Sequence, residues 1–410
     1  MLSESNLSRR DFIRLTGSAV VGVSMASESK TNPLGLDDFL ESRVAQCPAP
    51  GLAAAIVKGN QLVWAKGFGW ANRESNIPMS ADTLMNIGSI SKTITATAVM
   101  QLWEAGKFDL DDDINEFLPF VVRNPGNPEV AITFRQLLTH RSSIKDGPAY
   151  GESYACGDPT VSLEEWIREY FKTDGAYYDG EENFHTWKPG TVHPPERPRA
   201  YSNVGYGLLG ELVELISGKS FSKYCRDSIS VPLGMEDTCW YIKDLDTNRH
   251  AVPYSVVPDV FDADERPFES LLPAKGLTKE SLKPGRTLPH CLYSFYNYPD
   301  GLVRTSVREL SRFLASYIQG GIRAEARILK KETVDMMLSP EHFGRALCWY
   351  PNESVTGERL LGHSGGDPGI STYMGFRSVA QVGVIVFYNG NPGANSSEVT
   401  EKLLEEADSF

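Results

Sequence analysis

Several things are scarce in this chain, and each absence narrows its chemistry. Six cysteines (Cys47, Cys156, Cys225, Cys239, Cys291, Cys348) are scattered over 410 residues with no Cys-x-x-Cys and no Cys/His cluster at zinc spacing. Mostly free, buried thiols are therefore expected, with Cys225 and Cys239 the closest pair if a disulfide forms. Asp109-Leu-Asp-Asp-Asp113 lacks the central glycine and closing glutamate of a calcium loop, so no metal ion is expected. Lys and Arg form no clustered run, and the net charge of -13 excludes a nucleic-acid partner that would need a basic face. No run of about 18 or more apolar residues occurs, so no integral membrane segment is expected. Internal repeats and low-complexity tracts are absent as well.

What remains is a chain of 41% hydrophobic residues, long enough to bury a substantial core in one large domain or two lobes. Its first 26 residues carry Ser8-Arg9-Arg10-Asp11-Phe12, then a weakly apolar run ending in Ser24-Met25-Ala26. That pattern resembles a twin-arginine export signal with a cleavage site after Ala26, and predicts a periplasmic or extracellular protein.

Periodicity places the main elements. Residues 36–46 read as a helix; 51–57 and 61–68 read as two strands joined by a turn at Lys58-Gly59-Asn60. Ile94, Ala98, Leu102 and Trp103 give residues 93–105 helical spacing. From there to about residue 295 the chain reads as helical and loop-rich, with helices at 206–216 and 220–229. Strand patterns return at 371–376 and 382–388, before a closing helix at 397–407. Strands at both ends must meet in one sheet. The predicted fold is α/β plus a helical lobe: an antiparallel sheet flanked by helices, with an inserted mainly helical region and a cleft where the two meet. Residues 34–410 are expected to form a single domain, its α/β lobe from about 34–92 and 296–410 and its helical lobe from about 93–295.

The strongest chemical signal is Asn86-Ile-Gly-Ser-Ile-Ser-Lys-Thr-Ile-Thr-Ala96. Ser89 and Lys92 stand three apart at a helix start, so hydroxyl and amine share a face. A desolvated lysine can activate a serine, and the unpaired N–H groups of a helix start can hold an oxyanion. Ser-x-x-Lys occurs four times, at Ser27/Lys30, Ser89/Lys92, Ser142/Lys145 and Ser220/Lys223, so context must choose among them. Tyr201-Ser202-Asn203 precedes a second helical run; Tyr201 could relay protons and Asn203 could bond the lysine or a substrate amide. His363-Ser364-Gly365-Gly366, just before the terminal strand pair, offers small residues for close approach of a substrate. Gly366 N–H is a candidate second oxyanion donor, and His363 a candidate contact to a substrate carboxylate or leaving group.

Together these pieces resemble the serine β-lactamase-like, penicillin-binding-protein-like hydrolases, a group that includes class C β-lactamases, D,D-carboxypeptidases, D-aminopeptidases and esterases. The resemblance runs from about residue 36 to 407. It rests on Ile87–Lys92, Gly106-Lys-Phe-Asp-Leu-Asp-Asp112, Leu137-Leu-Thr-His140, Trp187-Lys-Pro-Gly190, Tyr201-Ser-Asn203-Val-Gly-Tyr206 and Pro232-Leu-Gly-Met235, in that order. It implies a β-lactamase/transpeptidase-like fold, an acyl-enzyme on Ser89, Lys92 as general base with Tyr201 sharing that role, and no cofactor. His363-Ser364-Gly365 stands where the β-lactamases of this group have Lys-Thr-Gly, which points away from β-lactams and towards peptidase, amidase or esterase chemistry. Arg141-Ser142-Ser143 and the insertion at residues 193–199 also depart from the group's pattern. The expected substrates are small peptides or amides with D-residues, or carboxylic esters. β-Lactam hydrolysis, acyl transfer, and a slow-deacylating protein that binds penicillin or cell-wall peptides stay open as alternatives. The sequence leaves the oligomeric state open.

Overall fold

Two segments more than three hundred residues apart carry the longest uninterrupted apolar strand patterns, and they lie side by side. The computed structural model describes residues 35–190, 200–340, 346–353, 359–393 and 395–410; the Arg9-Arg10 segment and the 193–199 insertion lie outside them. After helix α1 (Leu36–Gln46) come strands β1 (Gly51–Lys58), β2 (Gln61–Asn72) and the short β3 (Ile77–Pro78). Helices α2 (Ser91–Glu104), α3 (Val204–Ser217) and α4 (Val307–Ile318) follow. The chain then returns through β4 (Tyr350–Glu353), β5 (Arg359–Asp367), β6 (Ile370–Arg377) and β7 (Val382–Tyr388) to α5 (Asn395–Glu406). The sheet has seven strands in the order β4-β5-β6-β7-β1-β2-β3, every neighbour antiparallel.

β1 and β7 form its centre, paired from Leu52↔Tyr388 to Lys58↔Val382. Both are buried on both faces, which is why they read as continuous apolar runs rather than as alternation. Ala53, Ala55, Val57, Ile385 and Phe387 face the core shared with α4, while Leu52, Ala54, Ile56, Val384 and Val386 face α1 and α5. Ser306 caps α4 by accepting from Glu309 N at 3.1 Å, and Gly383 leaves room for Leu314 to lie against the sheet.

Between β3 and β4 the chain is mainly helical. α2 is its axis: all but a few of its residues are buried, and α3 packs on it. α3 ends at Gly218 in the left-handed conformation (φ +69°), where a glycine carries no steric cost.

Three expectations change. The helix expected over 220–229 is a short one, Phe221–Cys225, continued by a π-helical turn over Arg226–Ser230. The terminal strand pair gains a further partner, because His363–Gly366 lies within β5 rather than ahead of the strands. Two glycines in succession suppress the strand signal locally, and only pairing with β6 supplies it. Finally, Cys156 and Cys291 form a disulfide, whereas Cys225 and Cys239 are separate buried thiols, as is Cys348. No helix among the described residues is long and apolar enough to cross a membrane.

Glu211 on α3 is 1% exposed, and its Oε2 has no hydrogen-bond partner among the described residues. Burial, reinforced by Glu214 and Glu164, pushes its carboxyl up to about 7 from an ordinary 4.5. An acid raised in the folded state contributes stability below its unfolded value that is lost as pH rises through the folded one. Glu211→Gln is therefore expected to stabilise the protein by on the order of 2 kcal/mol at pH 8 and by much less at pH 5, read by urea denaturation at both.

Candidate active site

The site begins with a turn that favours glycine. Gly88 has φ +53°, and a Cβ there would stand 3.0 Å from Gly366 N. Asn86 Oδ1 accepts from Gly88 N at 2.8 Å and so holds the turn, which passes through a 3-10 segment (Gly88–Ile90) into α2. Ser89, half-buried, sits on that turn. One helical turn later Lys92 reaches back, and its Nζ donates to Ser89 Oγ at 3.1 Å.

The Lys92 side chain is 0% exposed, a position an ammonium can hold only among acceptors. Nζ lies 2.7 Å from Asn203 Oδ1, 2.9 Å from Asp300 O and 3.2 Å from Asp300 Oδ2. With Ser89 Oγ that makes four acceptors for at most three N–H groups, so the contacts are shared. Asp300 takes further bonds from Asn297 Nδ2 (2.9 Å, to Oδ1) and the Tyr150 hydroxyl (3.0 Å, to Oδ2). Burial pushes the Asp300 carboxyl up to about 6, against the pull of Lys92.

Asn203 has its orientation decided by Asp146. That carboxylate accepts from Asn203 Nδ2 at 2.8 Å, Asn203 N at 3.1 Å and Val204 N at 2.9 Å, at the start of α3. The amide nitrogen must face the carboxylate, which leaves the amide oxygen for Lys92. Desolvation raises the Asp146 carboxyl, while these N–H donors and Lys92 oppose the rise.

Tyr201 meets Lys92 through its ring: Nζ is 4.9 Å from the ring centroid. Behind it the His140 ring lies at 4.2 Å, with Nδ1 accepting from Ser202 N at 3.1 Å. A neutral His140 therefore carries its proton on Nε2.

β5 forms the opposite wall. Along it His363, Gly365 and Asp367 are buried, whereas Ser364 and Gly366 are exposed. A Cβ on Gly365 would run into the Ile87 carbonyl oxygen, while one on Gly366 would meet nothing within 4 Å. Gly365 thus lets the strand lie on the Ser89 turn, where Thr372 Oγ1 also bonds Ile87 O at 2.7 Å. Pairing closes at Asp367↔Ile370 across a two-residue link. Alternation along an antiparallel ladder then turns the N–H groups of Ser364 and Gly366 away from β6. β4 pairs with β5 only from Tyr350↔Gly362 to Glu353↔Arg359, so among the described residues no strand covers that edge at Ser364–Gly366. His363, 3% exposed, turns under the sheet: Nδ1 donates to Ser364 O at 2.6 Å and the ring is 5.0 Å from Tyr350.

The structure thus brings Ser89, Lys92, Asn203, Gly365 and Gly366 to one point, with Tyr201 beside them, Ser364 on the open edge and His363 beneath. Of the other Ser-x-x-Lys pairs, Lys145 bonds Glu182 at 3.1 Å and Lys223 bonds Asp227 at 3.1 Å, both at the surface; Ser27/Lys30 lies outside the described residues. Sequence reasoning missed Asp146, Asp300, Tyr150, Tyr154 and Asp367. Tyr298-Pro-Asp-Gly301 signals a turn and nothing more, and Asp146 falls in a stretch of loop. Tyr154 donates to Asp367 Oδ1 at 2.8 Å and Tyr293 to Pro368 O at 2.8 Å, so the segments joined by the Cys156–Cys291 disulfide hold the tip of the β5–β6 hairpin.

Gly365→Ala is expected to force β5 off the Ser89 turn. Labelling of Ser89 by an active ester should slow about a hundredfold while the melting temperature falls by a few degrees, as checked by mass spectrometry and calorimetry.

A family model described as Beta-lactamase matches residues 36–409. Penicillin-binding protein 4* of Bacillus subtilis (strain 168) is 26% identical over 320 residues, or 77% of this chain and 63% of that protein. The chain spans less than two thirds of the length of the curated relatives it matches, 64% in the case of Protein flp of Staphylococcus aureus (strain MRSA252). Among solved structures, the octameric penicillin-binding protein homologue from Pyrococcus abyssi matches at 25% identity with a TM-score of 0.65, covering 91% of this chain and 77% of that one. The D-amino acid amidase from Ochrobactrum anthropi SV3 matches in fold with a TM-score of 0.64 at 20% identity, covering 91% and 97%.

Proposed function

Because this chain belongs to the beta-lactamase family, we propose that it is a serine hydrolase working through an acyl-enzyme on Ser89. The observation that carries the reading is the 3.1 Å contact between a fully buried Lys92 Nζ and a half-buried Ser89 Oγ, beside an open strand edge. Ser89 Oγ attacks the carbonyl carbon of an ester or amide while its proton passes to Lys92. The oxyanion is held by the N–H groups of Ser89 and Gly366, both available because of the helix start and the strand alternation described above. Lys92 and Tyr201 share the proton as one unit and return it to the leaving group; Asn203 keeps Lys92 aimed. Water then releases the acyl group.

The substrates proposed are small peptides or amides with D-residues, or carboxylic esters. The exposed Ser364 and the edge at Ser364–Gly366, which no described strand covers, suit a ligand with peptide-like groups. The buried, carbonyl-bonded His363 places no lysine-like charge there for a β-lactam carboxylate. The likeness in fold to a D-amino acid amidase favours the same choice. Export is proposed as well, supported by Ser8-Arg9-Arg10 and by a disulfide of the kind that persists in oxidising compartments.

With p-nitrophenyl acetate, the wild type is expected to gain an acetyl mass and to release nitrophenolate continuously. Ser89→Ala should lose both, its rate falling by about a thousandfold or more. D-Amino-acid amides should then be cleaved faster than their L-counterparts. An adduct without continued release would instead identify a slow-deacylating binder, and no adduct at all would remove the acyl-enzyme reading.

A further inference from the structure

Lys92 cannot accept the Ser89 proton while it carries its own full complement. An ammonium has no lone pair, so a proton must leave Nζ before Ser89 Oγ can give one up. Among the described residues, the groups bonded to Nζ are a serine hydroxyl, an amide oxygen (Asn203), a peptide carbonyl (Asp300 O) and one carboxylate oxygen, Asp300 Oδ2 at 3.2 Å. Only the last is a base of ordinary strength. It is also shielded, since the Asp300 side chain is 2% exposed.

We propose that Asp300 is a positioning residue that receives the resting proton of Lys92, so that the base facing Ser89 is a neutral amine. The step rests on the acyl-enzyme reading above. One proton moves from Lys92 Nζ to Asp300 Oδ2; an ion pair becomes a neutral amine and a neutral acid, and nothing enters or leaves the site. The freed lone pair takes the Ser89 proton as the Oγ–C bond forms. That proton goes to the leaving group as the C–O or C–N bond breaks. In deacylation Lys92 takes a proton from the attacking water and returns it to Ser89 Oγ as the acyl bond breaks, after which Oδ2 hands its proton back to Nζ.

The surroundings suit a carboxyl that is able to change state. Facing Asp300 are Lys92 from α2, Tyr150 (to Oδ2) and Asn297 (to Oδ1), with Asp146 nearby. Tyr154 lies behind Tyr150, the two hydroxyls 3.4 Å apart, and bonds Asp367. When Asp300 is ionised, the Tyr150 O–H points at Oδ2; when it is protonated, the acid can donate to Tyr150, whose proton turns to Tyr154 and whose partner remains Asp367. Both states of Asp300 thus have a hydrogen-bonded arrangement. Burial has already brought its carboxyl up to about 6, against the pull of Lys92.

The required state holds one proton on the Lys92–Asp300 pair. At low pH the pair holds two and no acceptor remains, so kcat/KM falls as pH drops through the Asp300 value of about 6. Asp300→Asn keeps the shape but cannot take the proton. Its kcat/KM for p-nitrophenyl acetate is expected to fall about a hundredfold, with KM within about threefold, and the limb near pH 6 should be lost. Tyr150→Phe removes a donor that favours the ionised carboxylate, so its acid limb should move to higher pH by about half a unit or more. Circular dichroism and melting temperature report whether each variant folds; if Asp300→Asn does not, the limb of Tyr150→Phe decides. A wild-type limb unmoved in the folded variants, with Ser89 still acetylated, overturns the role of Asp300 alone. A wild type that never acetylates Ser89 overturns the acyl-enzyme reading and this proposal with it.

Discussion

One buried ammonium sets the terms for the rest of the site. Lys92 Nζ is out of water, and an ammonium there without acceptors would cost several kcal/mol. Its acceptors come from the Ser89 turn, from Asn203 at the head of α3 and from the Tyr298–Asp300 turn, which are distant in sequence. Asn203 can present its oxygen only because Asp146 binds its nitrogen, which adds a further segment. Packing of α2 on α3 and the orientation of Ser89 are therefore one constraint rather than two. The same closeness carries a consequence for charge. Asp146 and Asp300 both act on a single cation, and burial raises both carboxyls against its pull.

The second constraint is steric, and it joins the sheet to the helical region. β5 lies directly on the Ser89 turn because Gly88 and Gly365 carry no side chain where the backbones meet. Asp367, at the end of β5, accepts from Tyr154 and from Asn86, and Asn86 in turn holds the Gly88 N–H. Strand edge and Ser89 turn thus share one hydrogen-bonded scaffold, and the Cys156–Cys291 disulfide ties together the segments that support it from the helical side. A site assembled on a strand, a helix start and a bonded turn keeps its geometry better than one carried by loops.

Much of this was legible locally. The apolar runs of β1 and β7, the spacing of Ile94, Ala98 and Leu102, and the helix at the chain's end all follow from side-chain periodicity. β5 did not, because Ser364-Gly365-Gly366 has no apolar alternation; its strand character comes from β6 and from the turn beneath it. Asp300 was hidden for a different reason. Pro-Asp-Gly is turn chemistry in any context, and nothing in the tripeptide tells that its carboxylate is buried against Lys92. Nor could spacing pair Cys156 with Cys291 over Cys225 with Cys239.

By itself the sequence determined part of what short-range geometry can determine: the strands β1, β2 and β7, the helices α1, α2 and α3, and that Ser89 and Lys92 share a helix face. It offered that same Ser-x-x-Lys spacing at four places. Tertiary structure decided among those it describes, because reactivity depends on desolvation and on partners that arrive from elsewhere in the chain. Lys145 and Lys223 stay at the surface with their own carboxylates, whereas Lys92 is enclosed by Asn203, Asp300 and the Tyr201 ring. Whether a lysine is held out of water beside a serine, with acceptors for its charge, is set by residues distant in the chain that only the fold brings together.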